Sequence, residues 1–535
     1  MAIFEKTNQT RTLIDDTEKL SCTLENALSV NKHTEYVLHV RRGYNEENKW
    51  TVSRRYRDFA SLHASLQQAN IELPLPPKKL IGNMQPSFIA ERQIALQNYI
   101  KKVLEHPILA LSLPVRSFLD PQNYSTLIAE RALQTVSIAL RGDGQYELKG
   151  PLPGIGWRVR KHYFSVTESG SGTNCLLSFQ SYGPDKHLSN KDLQTAFKSL
   201  QNLSHPNIAE ILSLHTLETG AYVVRRIYEK GSLRDMLYGT EYNKTYLSKY
   251  GNPKVRKPLT LGQLAHYGYQ ILQALKFLND KGIPHGHLHP GNIAIDNQRA
   301  VLLDIENSLL GVPCLYRPYL VECKRVNRAP AIDVYCFGRT MYELATAKPL
   351  DGYCCDVFEN SISMGAHQDL ENLLRMCISS VICRHGSVSY DQLLSHPFFT
   401  HASLNGVTDR THLKFPLSLK DQLRLSVTAA EERLREDQNM QRKAKKEVRI
   451  QELLSSDVEM KRQQKRAKKR ENVWKSTSSL AETHSGSTAS SPTPPAPPPP
   501  PPPQPQPATD SGRSALLQDI CNFDRSRLAG KGPTR

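Results

Sequence analysis

The order of apolar and polar residues predicts a folded domain near the start of the chain. Residues 35–40 alternate apolar and polar side chains, which is typical of a half-buried strand. Residues 59–66 and 94–103 instead repeat apolar residues at helical spacing. We therefore expect residues 12–123 to fold as a small domain of strands and helices.

A second and longer apolar region spans residues 153–401, where strand-like and helix-like segments predict a larger α/β domain. Residues 124–152, between the two regions, are predicted to be a linker that ends in a turn-rich segment. Residues 402–474 are charged and helix-forming, with few apolar residues at coiled-coil spacing. Residues 475–510 are rich in serine and proline and are predicted to be disordered.

The composition indicates an anionic partner and a reducing compartment. The 535 residues include 69 lysines and arginines against 52 acidic residues, for a formal net charge of +17. Such an excess attracts phospholipid, nucleic acid or an acidic protein surface. We find no signal-peptide core and no apolar run that could span a bilayer. The ten cysteines show no paired metal spacing, so a cytoplasmic protein is expected.

Basic residues in the first region have the chemistry of a phosphate-binding site. Arg54, Arg55 and Arg57 lie where a predicted strand passes into a helix, and Lys78 follows two prolines. The guanidinium group is a planar fork of donors that matches phosphate oxygens. By itself, however, the cluster is equally consistent with a solvated basic face.

The order of the motifs in this region resembles that of phox-homology (PX) domains. Arg-Arg-Tyr-Arg-Asp-Phe stands at 54–59, Pro-Pro-Lys at 76–78 and Phe-Ile-Ala-Glu-Arg at 88–92. The resemblance covers most of the first region and implies a phosphoinositide-binding domain.

The PX resemblance also implies a role for individual side chains. Arg55 would hold the 3-phosphate of the inositol ring, and Tyr56 would pack under the ring. Lys78 would meet the 1-phosphate, and Arg92 would meet the ring hydroxyls. A membrane that carries a 3-phosphoinositide is therefore the expected partner.

Six motifs of the second region resemble those of protein kinases and follow the family's order. They are residues 203–208, 228–237, 270–278, 285–292, 333–338 and 393–399. The resemblance implies a two-lobed kinase fold.

Several positions that carry the kinase chemistry are changed. His287 stands where the family has its catalytic aspartate, and His289 stands where it has a lysine. Ala196 stands where helix αC should carry a glutamate, and the strand at 175–179, expected to end in a phosphate-binding lysine, has none. The glycine-rich loop is reduced to residues 154–156. We therefore expect a catalytically inactive, kinase-like domain.

Asn292 and Asp304 retain residue types that bind metal in active kinases. Weak binding of ATP and magnesium is one expectation, and a purely structural polar pair is the other. The alternating histidines of 285–292 could gather around a metal only if this loop were extended, so neither a resident metal nor a cofactor is expected. The alternative to an inactive domain is an unconventional Ser/Thr kinase that uses Asn292, Asp304 and Lys186 or another lysine.

The charged segment and the proline run suggest further partners. Residues 430–470 are consistent with a solvated helix, with a surface for anionic membranes, or with a nuclear import signal. The prolines at 497–503 form polyproline II, which suits SH3 domains or profilin.

Residues 511–530 resemble a WASP-homology-2 motif, which implies monomeric actin as a partner. Leu516, Leu517 and Ile520 fall on one face of a predicted helix, and Leu528 matches one position of the segment that follows. The paired lysines of that motif are missing.

The whole arrangement resembles a family of proteins that join a PX domain to a kinase-like domain. We therefore expect a multidomain α+β protein: a PX domain, a two-lobed kinase-like domain, and a largely disordered basic, proline-rich tail. The resemblance implies a peripheral protein of endosomal or plasma membranes that links them to actin. It also implies membrane cargo such as sodium/potassium-pump subunits or receptors, and no nucleic-acid partner is expected.

Overall fold

A computed structural model describes residues 13–30, 33–45, 47–78, 85–124, 127–356, 368–386, 388–401 and 411–478. The chain divides into a compact unit, Met1–Leu453, and a second unit, Leu454–Arg535. The predicted actin-binding motif, the proline run and most of the predicted disordered segment lie outside the described residues. Among the described helices, none is both long and apolar enough to cross a bilayer.

The first domain is a small antiparallel sheet covered by helices. Among its described residues, three strands pair in the order β1 (Leu20–Val30), β2 (His33–Arg42) and β3 (Lys49–Arg55). The helices are α1 (Tyr56–Leu66), α2 (Pro86–Glu105), α3 (Pro107–Ala110) and α4 (Leu113–Leu119). Tyr36, Leu38 and Val40 are buried, which confirms the alternation predicted for this strand.

Aromatic side chains join the helices of the first domain to its sheet. The ring of Phe59 on α1 lies edge-on to Tyr36 of the sheet and to Phe118 of α4, with ring centres 6.2 and 4.9 Å apart. Such edge-to-face pairs add to the free energy gained by burial. They hold the start of α1, and therefore the residues around it, at the edge of the sheet.

The structure corrects the predicted linker at 124–152. This segment forms helix α5 (Ile128–Asp143) and strand β4 (Tyr146–Pro151), the first strand of the second domain. Ala132, Val136 and Leu140 pack against that domain's sheet. The prediction was wrong because a short helix with few apolar residues is stabilised mainly by the surface that covers it, and the sequence of the segment does not show that surface.

A five-stranded antiparallel sheet, counted among the described residues, forms the first lobe of the second domain. Its strands lie in the order β4, β5 (Lys161–Glu168), β6 (Asn174–Ser181), β8 (Gly220–Arg226) and β7 (Ser213–Thr216). Helix α6 (Asn190–Gln201) connects β6 to β7. It begins at Ser189, whose side chain accepts a hydrogen bond from the backbone N–H of Asp192.

The second lobe is mainly helical and contains one short hairpin among its described residues. Its helices are α7 (Leu233–Tyr238), α8 (Tyr246–Tyr250), α9 (Leu261–Asp280), α10 (Arg317–Leu320), α11 (Ala329–Thr346), α12 (Gln368–Ile378), α13 (Ser380–His385) and α14 (Tyr390–Leu394). The hairpin consists of β9 (Ile293–Asp296) and β10 (Arg299–Leu302). The predicted two-lobed architecture is therefore present.

Two glycines allow the segment after Asp304 to pass close to the first lobe. The backbone N–H of Gly183 donates to the carbonyl of Leu310, and a Cβ at Gly183 would lie 2.1 Å from the carbonyl oxygen of Gly311. Gly311 itself has a φ of +65°. Side chains at these positions would force the two backbones apart.

The charged segment forms the long helix α15 (Leu417–Ser478), as predicted, but its first part is not a solvated helix. Leu419, Leu423 and Leu434 are buried in the core of the kinase-like domain. That core therefore extends beyond residue 401, the predicted end of the domain. The interpretation as a purely charged helix was wrong here because widely spaced leucines are enough to bury one face.

Candidate functional site

The junction of β3 and α1 places the first two predicted lipid-binding residues side by side. The backbone N–H of Arg55 donates to the carboxylate of Asp58 over 2.8 Å, which begins helix α1. The side chain of Arg55 is 37% exposed and therefore accessible to a ligand. The hydroxyl of Tyr56 donates to the carbonyl of Pro76 over 2.5 Å, which ties the proline loop to this junction.

Arg92 of helix α2 lies against Tyr56 at this junction. Its guanidinium carbon lies 4.4 Å from the ring centre of Tyr56 and 4.2 Å from that of Phe88, so it is sandwiched between two aromatic rings. One Nη atom also donates to the carbonyl of Pro77 over 3.1 Å. Lys78 follows directly and is exposed. The structure thus brings Arg55, Tyr56 and Arg92 together, and Lys78 follows the two prolines that Tyr56 and Arg92 contact.

The neighbouring arginines of the motif have other surroundings. Arg54 donates through Nε to the carbonyl of Phe118 over 2.9 Å, and its guanidinium stacks on the Phe118 ring. Arg57 is 76% exposed and lies 3.6 Å from Asp58. The three arginines are therefore not one solvated face.

Glu35 is a pocket residue that the sequence analysis missed. It lies on β2 directly opposite Arg55 on β3. Its Oε1 atom lies 3.5 Å from Nε and from Nη2 of Arg55. A strand register cannot be derived from one strand alone, so no local pattern indicated this pair.

In the kinase-like domain, Asp333 of helix α11 holds the start of the loop at residues 285–292, which we call the histidine loop. Its carboxylate accepts hydrogen bonds from the backbone N–H groups of His285 and Gly286, at 3.0 and 2.6 Å. The imidazole Nε2 of His285 lies 2.9 Å from the carbonyl of Leu303. Among the described residues, no group of three or more potential ligands could hold a metal.

His287 stands at the position of the catalytic base and is contacted by Arg158, which lies just after the reduced glycine-rich loop. Arg158 Nη2 lies 3.1 Å from His287 Nδ1, and its Nη1 donates to the carbonyl of Pro313 over 2.7 Å. Burial, together with the charge of Arg158, lowers the pKa of His287 well below its usual value. The imidazole is therefore neutral near pH 7, and one of its ring nitrogens is already occupied.

Lys161 is a buried lysine beside Asp304, although the strand at 175–179 has no lysine, as expected. The kinase resemblance implies a phosphate-binding lysine on the strand that the structure shows as β6. Lys161 lies instead on the neighbouring strand β5, opposite Gln180 of β6. Its Nζ lies 2.7 Å from the carboxylate of Asp304, and both side chains are largely buried. Burial would raise the pKa of Asp304, but Lys161 and Arg225 outweigh it and hold this pKa below its usual range. The alternative candidate, Lys186, instead bonds to the Leu188 carbonyl.

A second buried ion pair follows Asp304 in the chain. Glu306 stands where kinases have the glycine of Asp-Phe-Gly, and both of its oxygens meet the guanidinium of Arg225 on β8, at 2.5 and 3.4 Å. Ala196 lies buried on α6 and offers no charge to either pair.

Asn292 is next to Asp304 but is also engaged. The carbonyl of Asn292 accepts the N–H of Leu303, and its side-chain amide donates to the carbonyl of His287 over 3.0 Å. The backbone of Asn292 is thus paired with the residue before Asp304, whose carboxylate has the ammonium group of Lys161 beside it. This arrangement satisfies the charge of Asp304 with the chain's own lysine.

His289, at the position of the kinase loop lysine, turns back toward its own loop. Its Nδ1 atom accepts the backbone N–H of Gly291, at 3.1 Å. The buried Nε2 atom has no hydrogen-bond partner among the described residues. Burial lowers the pKa of His289 well below its usual value, so it does not replace the charge of a lysine.

Comparisons with known proteins agree with both domains. The PX family model matches residues 42–122, and the model of protein tyrosine and serine/threonine kinases matches residues 168–304. The PX domain-containing protein kinase-like protein of Mus musculus is 41% identical over 82% of this chain and 75% of its own length. The chain belongs to the PX domain-containing protein kinase-like family.

Two further relatives are named for binding or for inactivity. The Slowpoke-binding protein of Drosophila melanogaster is 33% identical, over 41% of this chain and 45% of its own. The probable inactive serine/threonine-protein kinase slob1 of Dictyostelium discoideum is 31% identical, over 39% of this chain and 41% of its own. These names are consistent with a kinase-like domain that serves as a scaffold.

Proposed function

We propose that this protein is a phosphoinositide-binding scaffold whose kinase-like domain is catalytically inactive. The observation that carries the proposal is the assembled pocket of Arg55, Tyr56, Lys78 and Arg92. Two arginines and a lysine, with an aromatic wall between them, suit a phosphorylated inositol ring. The favoured ligand is a 3-phosphoinositide, which would hold the protein at the surface of endosomal or plasma membranes.

Inactivity is supported by the contacts inside the cleft. Phosphoryl transfer requires metal ions held by the chain and a base directed at the acceptor hydroxyl. Here Lys161 pairs with Asp304, and Arg158 engages His287 at the base position. Metal binding by Asp304 would require its contact with Lys161 to break, and a base role for His287 would require its contact with Arg158 to break.

Replacement of Arg55 tests the lipid-binding proposal. Arg55→Ala removes charge-assisted hydrogen bonds worth about 1.5–3 kcal/mol, so we expect at least a tenfold loss of binding to vesicles with phosphatidylinositol 3-phosphate. Arg57→Ala is the matched control. Arg57 carries the same charge as Arg55, lies two residues further along the chain and is exposed. Equal co-sedimentation of the two folded variants would contradict the proposal.

One observation favours a second candidate, an unconventional Ser/Thr kinase recruited to membranes by its PX domain. The buried Lys161 supplies a cleft lysine, although from β5, and Asn292 and Asp304 are retained. The candidate predicts incorporation of labelled phosphate with ATP and magnesium or manganese that disappears in Asp304→Ala. The scaffold proposal predicts equal, background incorporation by both proteins.

The scaffold's partners belong to the same proposal. The name of the Slowpoke-binding protein supports a role in binding other proteins. Membrane cargo such as ion-pump subunits or receptors is proposed for this chain. Monomeric actin is proposed for Leu516, Leu517, Ile520 and Leu528, and SH3 domains or profilin for the proline run, all outside the described residues. Trafficking between membrane and actin would follow from these links.

A further inference from the structure

The proposed lipid pocket contains an acidic side chain at its phosphate-binding end. Strand pairing places Glu35 opposite Arg55, with its Oε1 atom 3.5 Å from two of the guanidinium nitrogens. The remaining residues of the pocket, Tyr56, Lys78 and Arg92, are neutral or cationic. A phosphate held by Arg55 would therefore lie beside a carboxylate.

A histidine also contacts the oxygen of this carboxylate that Arg55 approaches. The Nε2 atom of His33 lies 3.0 Å from Oε1 of Glu35. The hydrogen bond with His33, followed by the one with Arg55, lowers the pKa of Glu35 below its usual range. Glu35 is therefore ionised at neutral pH, and its position does not depend on Arg55 alone.

We propose that Glu35 is a specificity residue that restricts the pocket to inositol rings with one ring phosphate. The inference rests on the proposed lipid binding. A hydroxyl on the ring carbon next to the bound phosphate can donate a hydrogen bond to the carboxylate. A second phosphate at that carbon carries a charge of about −1.5 to −2 and meets the carboxylate with like charge.

The charges of the pocket support selection rather than simple weakening. Arg55, Lys78 and Arg92 contribute three positive charges and Glu35 contributes one negative charge, which leaves a net charge of +2. A single ring phosphate, with a charge of about −1.5 to −2, matches that excess. An additional phosphate both exceeds it and lies closest to the acidic residue.

The test uses the full-length chain and vesicles that contain phosphatidylinositol 3-phosphate, 3,4-bisphosphate or 3,5-bisphosphate. The measured quantity is the ratio of bisphosphate to monophosphate binding by co-sedimentation. Glu35→Gln keeps the shape and removes the charge, so we expect the 3,4-bisphosphate ratio to rise about three- to tenfold. Competition with soluble inositol 1,3-bisphosphate distinguishes recognition of the headgroup from attraction to the vesicle surface.

Glu25→Gln is the matched control. Glu25 lies on β1 and pairs with His39 at 3.3 Å, so the variant removes the same charge from the same kind of pair, away from Arg55. An unchanged ratio in both Glu35→Gln and Glu35→Ala would overturn the inference, as would an equal rise in Glu25→Gln. If instead the wild type and Arg55→Ala bind every vesicle equally, the proposed function fails as well.

Discussion

Asp304 stands where kinases have their metal-binding aspartate, but its carboxylate is paired with a lysine of the chain. It has a left-handed backbone, with a φ of +61°, and a buried carboxylate. A buried charge without a partner is costly, so the domain needs a cation at this point. Lys161 supplies that cation from the neighbouring strand. The carboxylate of Asp304 is therefore paired within the chain.

Removal of Lys161 should destabilise the kinase-like domain. Lys161→Met removes the ammonium group that bonds to the buried Asp304, while the charges of Arg225 and Arg158 remain, so we expect a cost of up to about 3–5 kcal/mol. Lys186→Met is the control, since that ammonium only bonds to a backbone carbonyl and to Asn190, and we expect a loss below about 1 kcal/mol. The free energy of unfolding in denaturant measures both.

A double variant distinguishes loss of the ion pair from loss of packing. In Lys161→Met with Asp304→Asn, the unpaired charge is gone, so most of the stability should return. Equal destabilisation by Lys161→Met and Lys186→Met would show that the ion pair contributes little.

At the scale of elements, the first part of α15 packs as part of the kinase-like domain. Glu431 accepts the backbone N–H of Ala329 over 2.9 Å and so satisfies a free donor at the start of α11. Gln438 donates to the carbonyls of Leu320 and Val326. The helix thereby covers the segment between α10 and α11, beside the histidine loop.

A leucine pair on α15 tests this packing. Leu423 is 2% exposed and Leu425, two residues later, is 62% exposed. We expect Leu423→Ala to lower the free energy of unfolding by about 2–5 kcal/mol and Leu425→Ala to change it by less than about 0.5 kcal/mol. Similar small effects from both would mean that this part of the helix is not packed in solution.

At the scale of the whole molecule, one buried cluster of charges joins the PX domain, the kinase-like domain and α15. Arg317 of α10 contacts Asp15 at 3.0 Å, Asp437 at 2.6 Å and Asp185 at 3.6 Å. Arg433 of α15 contacts Asp15 at 2.8 Å and Asp185 at 2.7 Å. Three carboxylates surround two guanidinium groups, so each segment depends on the others for charge balance.

Arg317→Met should loosen all three parts together. It removes one of the two guanidinium groups that Asp15 and Asp185 share and leaves them with Arg433, at a cost of up to about 3–5 kcal/mol. Arg424→Met, at a 78% exposed position on the same helix as Arg433, should be nearly neutral. Calorimetry should show one unfolding transition in the control and an earlier, separate transition in Arg317→Met. A single unshifted transition in both would contradict this coupling.

The same cluster predicts the effect of pH. Burial would raise the pKa of Asp15, but Arg317 and Arg433 hold it below 3.8. A depressed carboxyl pKa stabilises the folded state above the unfolded pKa, and this stabilisation is lost as the pH falls below it. We therefore expect the difference in unfolding free energy between wild type and Arg317→Met to shrink as the pH falls below about 4.

The sequence by itself determined which two domains are present and which chemistry they carry. The order of short motifs identified the PX and kinase-like regions. Each motif is recognisable by itself because its turn, cap or anchoring residues lie close together in the sequence. The same motifs located Arg55, Tyr56, Lys78 and Arg92, and the substitution at His287. These conclusions needed only residue type and spacing.

Only the tertiary structure decided what these residues face. The register of β2 on β3 places Glu35 against Arg55, and the pairing of β5 with β6 carries Lys161 to Asp304. The burial of α5 and of Leu423 on α15 likewise depends on surfaces distant in sequence. A charge or an apolar stripe acquires its partner only when the chain closes over it, so no local pattern contains that information.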